Sequence, residues 1–316
     1  MRLRARCAAV KQHPKLRRFV MLYFLSAIFC AALALFPATA SSQSRTIDQK
    51  LNANIEERIR KSGAEVAIAF RTLDGQTAYS LREEESFHAA STMKIPVMIE
   101  LFHQARQGKL KLEDALPVKN EFHSLADGSI YTLDPADDSE TDLYKATGET
   151  RTLRQLCELM ITVSSNLATN LLIEKLGVEN IRATVHSMHA DGMEVLRGVE
   201  DSKAFAKGMN NTTTAHGLLQ LLDAIAREEA VDQESSRQMI EILERQKFNE
   251  GIPAGLPPGT RVAHKTGEIT KIHHDAAIVF APKPFVLVIL VRGLADIKDS
   301  AALMADITRL LYQATQ

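Results

Sequence analysis

The sequence predicts an α/β fold in which an antiparallel sheet flanked by helices adjoins an all-helical lobe. Three observations lead to this prediction: strand patterns occur near both ends of the chain, helical patterns fill its middle, and 45% of the 316 residues are hydrophobic. A chain of this length and composition can bury one large core or two packed lobes. Because neither group of strands can cover its apolar face alone, we expect both ends to meet in one sheet.

A helix and a hairpin are predicted at the front of the domain. Residues 46–61 carry isoleucine or leucine at helical spacing. Residues 65–71 alternate between apolar and other side chains, and Asp74-Gly75 is a strong signal for a tight turn that returns through residues 77–81.

The middle of the chain is predicted to be helical. Apolar residues recur three and four positions apart in residues 93–107, 152–163, 166–176, 178–189 and 214–227. Gly108 and Gly177 fit as helix stops. The polar segments 117–148 and 191–211 are expected to be functional or flexible loops, because loops of this length are uncommon in a compact domain.

The end of the chain returns to strands. Residues 261–265, 275–280 and 285–291 have strand patterns, and a proline-containing turn at 281–284 joins the last two. A helix is predicted over residues 300–314. These strands and the front hairpin would form the sheet.

The first 40 residues have the pattern of an export signal. Seven basic residues and no acid occur in the first 18, an apolar run follows over 19–36, and Ala38-Thr39-Ala40 fits a signal-peptidase site. We expect cleavage after Ala40, which leaves residues 41–316 as one catalytic domain in the periplasm or outside the cell. The alternative is a retained anchor, since the run is near the lower length limit for crossing a bilayer. Cys30 lacks the small residues expected before a lipid-modified cysteine.

Cleavage would make the domain acidic. The chain has 38 basic and 39 acidic residues, and loss of seven basic residues leaves 31 against 39, a formal charge of −8. Nucleic acid is therefore not an expected partner, because phosphate binding needs a basic surface. Cys157 is the single cysteine beyond residue 40, so the mature domain can form no internal disulfide.

Ser91-Thr92-Met93-Lys94 matches the pattern S-x-x-K directly ahead of an apolar helix. Residues three apart share a helix face, so the Lys94 amine can reach the Ser91 hydroxyl. A serine becomes a good nucleophile when a neighbouring amine of lowered pKa takes its proton. Alone the pattern is weak, because a helix-capping serine followed by a surface lysine looks the same.

Two further motifs strengthen this interpretation. Ser164-Ser165-Asn166 lies between two strong helical patterns, and His264-Lys265-Thr266-Gly267 ends a predicted strand. Both would lie where a cleft opens between a helical lobe and a sheet. Three motifs in this order, each in a suitable context, are hard to produce by chance.

These residues resemble the serine β-lactamase and penicillin-binding-protein superfamily, most closely the class A β-lactamase type. The resemblance covers nearly all of residues 41–316, including the stretches at 160–170 and 211–214. It implies that Ser91 attacks a lactam or peptide carbonyl, and that Lys94 acts as the base or orients the group that does. Ser164 would pass a proton to the leaving nitrogen, and Asn166 would hold the substrate amide.

The resemblance also implies roles for the third motif. Lys265 and Thr266 of the K-T-G sequence ending at Gly267 would bind the substrate carboxylate. The backbone amides of Ser91 and Glu268 would form the oxyanion hole. No metal or organic cofactor is implied, and the family suggests a monomer that acts on a small-molecule β-lactam or a peptidoglycan-like substrate.

The sequence departs from the family at two catalytic positions and adds a carboxylate at a third. The class A pattern E-x-x-L-N is absent, and Glu200 is the best-placed substitute for its water-activating glutamate, with Asp201 and Glu194 as rivals. Glu200 could equally be a structural carboxylate. Ser165 stands where class A enzymes usually have aspartate. Glu268 could repel some substrates, although an edge-strand side chain turned to solvent is the plainer interpretation.

Two other functions remain open at this point. A DD-peptidase-like or esterase-like hydrolase would share the nucleophile but deacylate slowly, and a non-catalytic cell-wall-binding protein would keep the fold alone. The three intact motifs favour an enzyme. His273-His274-Asp275 is interpreted as a polar patch where a strand begins, because no second cluster of metal ligands accompanies it.

Overall fold

A computed structural model describes residues 45–46 and 48–316 of the protein, so the predicted signal segment at 1–40 lies outside the described residues. The strands are β1 (Arg45–Thr46), β2 (Glu65–Thr72), β3 (Thr77–Leu81), β4 (Phe87–His88), β5 (Ala115–Pro117), β6 (Phe122–His123), β7 (Ile130–Tyr131), β8 (Thr150–Thr152), β9 (Thr212–Thr213), β10 (Arg261–Ile269), β11 (Ile272–Phe280) and β12 (Phe285–Arg292).

Most of the helices in the described residues lie in the middle of the chain, between the first and the last strands of the main sheet. The helices are α1 (Gln49–Ser62), α2 (Lys94–Arg106), α3 (Asp142–Lys145), α4 (Leu153–Thr162), α5 (Asn166–Leu176), α6 (Val178–Ser187), α7 (Ser202–Ala206), α8 (Ala215–Ala226), α9 (Gln233–Leu243) and α10 (Ile297–Thr315). No helix within the described part of the chain is long and apolar enough to cross a membrane.

Strands from before and after the helical middle of the chain contribute to one six-stranded sheet, as the sequence predicted. Its strand order is β1-β3-β2-β12-β11-β10. The pair β1 and β3 is parallel, and the other pairs are antiparallel. The front hairpin joins the C-terminal strands where β2 pairs with β12, with Ile68 opposite Ile289. The predicted α/β fold class is therefore confirmed.

The sheet separates two hydrophobic cores. On one face, Ile68 and Ile289 pack with Ile55 of α1 and Ile307 of α10. On the other face, Val288 belongs to the core of the helical lobe, which includes α2, α4, α5 and α8. Full burial of one such side chain contributes about 1.5–3 kcal/mol. Layers on both faces explain why β12 is apolar along its length rather than alternating.

Several predicted boundaries differ from the structure because capping residues set them. The helix predicted from residue 46 begins at Gln49, since the Asp48 carboxylate caps its N-terminus. The last helix begins at Ile297 rather than 300, after the cap Asp296. The strand predicted over 261–265 continues to Ile269.

The edge strand β10 and the helical lobe define the place where a site can form. β10 contacts the 3-10 turn Ala90–Met93, which leads into α2. The turn between α4 and α5 carries Ser164 and lies beside the same strand end, because Lys265 of β10 donates a hydrogen bond to the Ser164 hydroxyl. All three motifs therefore meet at one edge of the sheet.

Candidate active site

Ser91 lies in the 3-10 turn Ala90–Met93, directly before α2. Ala90 has a φ of 45°, in the left-handed region that non-glycine residues rarely adopt. The Ala90 N–H donates to His88 Nδ1 over 3.0 Å, which helps to hold this conformation. Such strained residues persist where their surroundings fix them, and they cluster at functional sites.

Gly267 brings the edge strand β10 against the Ser91 backbone. A Cβ atom at position 267 would lie 3.0 Å from Ser91 N and 3.1 Å from Thr92 N. A side chain there would force one of the two backbones to move, so the close approach requires glycine. The strand backbone that follows Gly267 therefore runs beside the Ser91 amide.

Lys94 is fully buried and directs its amine at the second motif. Its Nζ donates to the Ser164 carbonyl oxygen (2.6 Å), to Ser164 Oγ (3.1 Å) and to Asn166 Oδ1 (2.9 Å). The contact to the Ser91 hydroxyl that helical spacing permits is not among these hydrogen bonds. Burial lowers the pKa of Lys94 to about 7, against the opposing charges of Asp138 and Glu200.

The Ser164 hydroxyl lies between two amines. Lys265 Nζ approaches Ser164 Oγ at 3.0 Å from the side of the sheet, and Lys94 Nζ approaches it at 3.1 Å from the side of the helices. Ser164 has a φ of 59°, again left-handed. Burial, and then the charge of Lys94, lowers the pKa of Lys265 well below its usual range. The three groups form a short path along which a proton can move.

The other residues of the third motif surround Lys265. Lys265 Nζ also donates to the Thr266 carbonyl oxygen over 2.7 Å. Behind it, His264 Nδ1 lies 2.9 Å from Asp275 Oδ1, and both side chains are buried. Glu268 follows on the edge strand with an exposed side chain.

Asn166 connects Lys94 with Glu200. Its Oδ1 accepts from Lys94 Nζ, and its Nδ2 donates to Glu200 Oε1 over 3.3 Å. Glu200 is half-buried, has a φ of 62°, and also accepts from the Asp134 N–H. Burial raises the pKa of Glu200, and its hydrogen bonds only partly offset this effect. A carboxyl group of raised pKa next to the second motif suits a general base.

The two rivals of Glu200 have other contacts. Asp201 caps α7 and accepts from the Ser124 hydroxyl over 2.7 Å. Glu194 forms an ion pair with Arg182 at 3.3 Å. Neither residue has a hydrogen bond to the second motif, so the geometry favours Glu200.

Asp138 is a buried residue at the site that the sequence analysis did not identify. Its Oδ2 accepts the backbone N–H groups of Asn166 and Leu167 at 2.8 and 2.9 Å, and the Tyr144 hydroxyl at 2.9 Å. Only 7% of its surface is exposed. A loop that contains several acids gave no signal for which of them would be buried.

The motifs open onto one cleft with a volume of about 800 Å³. Residues of all three motifs line it, namely Ser91, Ser164, Asn166 and Thr266, and Glu268 lines it as well. The cleft continues past His273 and Ile297. Glu200 is not in this lining and touches the cleft through Asn166. The volume falls in the range of small-molecule sites, roughly 300–1,000 Å³.

The histidine pair at 273–274 lies where β11 begins, at its second and third residues, as predicted. His274 is fully buried and forms hydrogen bonds to the His88 carbonyl oxygen and the Val291 N–H. In the described residues, the group with metal-ligand spacing is Glu83, Glu84 and His216, away from the cleft lining. The predicted polar patch is therefore a buried part of the sheet.

Comparisons with known proteins find similar sequences and similar folds. The sequence model of the beta-lactamase enzyme family matches residues 49–315. The chain is also similar to a beta-lactamase from Bacillus licheniformis, with 27% identity over 240 residues that cover 74% of this chain and 73% of that protein.

Two solved structures are similar over most of their length. A beta-lactamase from Sphaerobacter thermophilus is 24% identical, with a TM-score of 0.71, and the match covers 84% of this chain and 95% of that one. A variant of PBP-A, solved as an acyl-enzyme complex with penicillin G, is 25% identical with a TM-score of 0.75, covering 86% and 98%.

Proposed function

Because this chain belongs to the beta-lactamase enzyme family, we propose that it is a class A-like serine β-lactamase that hydrolyses its substrate through an acyl-enzyme on Ser91. The observation that carries the proposal is the convergence of Lys94 and Lys265 on the Ser164 hydroxyl, at 3.1 and 3.0 Å. This group adjoins the cleft that Ser91 lines. We further propose that residues 41–316 act after export and as a monomer.

In the acylation step, Ser91 Oγ attacks the lactam carbonyl carbon while its proton passes to the neutral Lys94 amine. A pKa of about 7 for Lys94 means that much of this amine is neutral near pH 7. When the lactam C–N bond breaks, the nitrogen takes a proton from Ser164. The two lysines can replace that proton through their hydrogen bonds to Ser164 Oγ.

Two backbone amides would stabilise the oxyanion. A two-residue turn joins β10 to β11, with Ile269 opposite Ile272. In an antiparallel ladder the hydrogen-bonded pairs alternate with pairs whose backbone groups point away. In a two-residue hairpin, the residues that close the turn, here Ile269 and Ile272, form a hydrogen-bonded pair. The N–H of the preceding residue, Glu268, then points outward from the sheet edge. There it would lie beside the Ser91 N–H, and the two groups would form the oxyanion hole.

The substrate's polar groups would be held by the second and third motifs. Thr266 lines the cleft, and Lys265 lies next to it with a buried amine. A bound carboxylate would favour the charged form of Lys265, because an opposite charge at short range stabilises the ammonium. Asn166 lines the same cleft and would bind the side-chain amide.

Deacylation would need a water molecule activated by Glu200. The carboxylate reaches the cleft through its hydrogen bond with Asn166. Its pKa is raised by burial, which makes it a stronger base than an ordinary carboxylate. The ester bond to Ser91 would break, and Ser91 would regain its proton.

A DD-peptidase-like or esterase-like hydrolase is the second candidate. Ser165 and the absence of E-x-x-L-N favour it, as does the similarity to PBP-A. Under this alternative Glu200 is structural, and the acyl-enzyme persists.

Intact-mass spectrometry of residues 41–316 mixed with a penicillin, sampled from seconds to an hour, tests both candidates. We expect an adduct that appears and then vanishes as penicillin is consumed, no adduct in Ser91→Ala, and a persistent adduct in Glu200→Gln. A persistent adduct on the unsubstituted protein would favour the second candidate. Absence of any adduct would exclude Ser91 as a β-lactam nucleophile.

A further inference from the structure

The second motif of this protein has an incomplete set of side chains to cap α5. Where class A enzymes usually have aspartate, Ser165 has a hydroxyl that accepts the Ala168 N–H over 3.2 Å. The N–H groups of Asn166 and Leu167, at the first two positions of α5, have no partner earlier in their own helix. Left buried without an acceptor, such groups are costly.

Asp138 supplies the missing acceptor from a distant loop. Its Oδ2 accepts both of these N–H groups, at 2.8 and 2.9 Å, and lies 3.5 Å from Ser165 Oγ. The Tyr144 hydroxyl and the Glu140 N–H also donate to its carboxylate. A buried carboxylate is stable at this position because the helix N-terminus presents amides and the positive end of its dipole.

We propose that Asp138 is a positioning residue for catalysis, which holds Ser164 and Asn166 against Lys94. It takes the place of the aspartate that class A enzymes usually have in the second motif, where this chain has Ser165. This inference rests on the proposed function. Asp138 fixes the Asn166 backbone, and the Asn166 side chain in turn accepts from Lys94 Nζ at 2.9 Å. Ser164, with its left-handed φ of 59°, directly precedes the capped segment, so the same cap restrains it.

The charge of Asp138 acts on Lys94 as well. The charged groups that face Lys94 are Asp138 and Glu200 from two loops and Lys265 from β10. Asp138 and Glu200 both raise the pKa of Lys94, and Asp138 is the larger of these two contributions. Removal of the Asp138 charge should therefore lower the pKa of Lys94 further.

Three variants test the proposal: Asp138→Asn, Ser165→Asp, and the double variant that combines them. The rate of labelling by a fluorescent penicillin reports acylation. NMR of protein labelled with ¹³C-lysine follows the titration of Lys94, whose signal is identified by its loss in Lys94→Met. The control is Asp142→Asn, which removes an exposed carboxylate at the start of α3, four residues after Asp138, that pairs with Lys145.

We expect Asp138→Asn to acylate roughly ten- to hundredfold more slowly, because small misplacements of catalytic groups reduce rates by about this much. The titration midpoint of Lys94 should move to lower pH. The double variant should recover most of the rate and move the midpoint back up, because Asp at 165 restores a carboxylate beside the same amides. Ser165→Asp alone should be slower than the unsubstituted protein, since two carboxylates then crowd one site. Asp142→Asn should change neither quantity.

Two results would overturn the role of Asp138: a folded Asp138→Asn with unchanged rate and midpoint, or a double variant no better than Asp138→Asn. If Asp138→Asn does not fold by circular dichroism, a folded and active double variant supports the proposal and an unfolded one contradicts it. Failure of the unsubstituted protein to react with penicillin would contradict the proposed function, while the Lys94 midpoints would still decide the role of Asp138.

Discussion

At the scale of single residues, the site depends on an amine that is buried yet has hydrogen-bond acceptors for all three of its protons. Lys94 Nζ donates to the Ser164 carbonyl oxygen, the Ser164 hydroxyl and Asn166 Oδ1. Burial penalises its charged form, and the acceptors keep that form accessible. The balance explains a pKa near 7 rather than a permanently charged or permanently neutral amine.

Acylation should therefore depend on pH through Lys94. Below pH 7 the amine is mostly protonated and cannot take the Ser91 proton, so the rate should rise about tenfold per pH unit and level off above pH 7. Single-turnover acylation of Glu200→Gln by a chromogenic cephalosporin, from pH 5 to 9, measures this dependence; the plateau should begin at a somewhat lower pH in this variant, because loss of the Glu200 charge lowers the pKa of Lys94 further. A rate that does not vary with pH would show that Lys94 is not the base.

Gly267→Ala should impair acylation with little general loss of stability. The added Cβ would meet the Ser91 and Thr92 backbone nitrogens at 3.0 and 3.1 Å, and a displaced nucleophile should lower the acylation rate roughly hundredfold. Gly75→Ala is the matched control, because a Cβ atom at position 75 would meet no other atom within 4 Å, while the φ of +70° is strained for alanine. It should lower the free energy of unfolding by about 1–2 kcal/mol and leave acylation unchanged. The reverse pattern would contradict this account of Gly267.

At the scale of elements, α5 links the cleft to the loop that carries Glu200. Asn166 and Asn170 lie one turn apart on this helix, so they share a face. Asn170 Oδ1 accepts the Val199 N–H at 2.7 Å, and its Nδ2 donates to the Val199 carbonyl oxygen at 3.0 Å. Both backbone groups of the residue before Glu200 are thus fixed by one side chain.

Asn170→Ala should slow deacylation more than acylation. The loop at 199–200 loses its anchor, so Glu200 loses its position while Ser91, Lys94 and Ser164 keep theirs. We expect deacylation to fall roughly ten- to hundredfold, seen as accumulation of the penicillin adduct by mass spectrometry. Asn180→Ala removes a comparable side chain from α6, which donates to the Leu176 carbonyl oxygen at the far end of α5, and it should leave both steps unchanged. Equal losses in the two steps of Asn170→Ala would contradict the anchoring role.

Local signals determined which elements could be predicted. The bounds of α5 follow from Ser165 as its cap and Gly177 as its stop, and the prediction of residues 166–176 is confirmed. Helix α9, Gln233–Leu243, was not predicted, because its first turns are polar and its buried apolar residues come late. Asp138 could not be distinguished from neighbouring acids, since its burial depends on α5, which is distant in sequence.

At the scale of the whole molecule, the buried amines should make stability depend on pH. The pKa of Lys94 is about 7 in the folded state and near its model-compound value of 10.5 when unfolded. Between these values the unfolded chain binds more protons, so the free energy of unfolding should rise with pH, by up to about 1.4 kcal/mol per pH unit for this group.

Urea unfolding between pH 7 and pH 9 measures this contribution. We expect Lys94→Met to lose the part of the increase that Lys94 contributes, up to about 1.4 kcal/mol per pH unit, and to keep the part that comes from Lys265, whose pKa burial also lowers. Lys109→Met, at an exposed position, should keep the increase in full. Equal slopes in all three proteins would mean that Lys94 is protonated to the same extent in the folded and unfolded states.

The pairing of β2 with β12 has a consequence for folding kinetics. Glu65 of β2 lies opposite Arg292 of β12, and Ile68 lies opposite Ile289, so the centre of the sheet joins segments more than 200 positions apart. Contacts of such long range slow folding, because the intervening chain must be ordered before they form. During synthesis, a ribosome-bound chain cannot complete its sheet until β12 has emerged. Lys265 lies on β10, two strands before β12 in chain order, so the nascent protein should remain inactive until β12 has emerged as well.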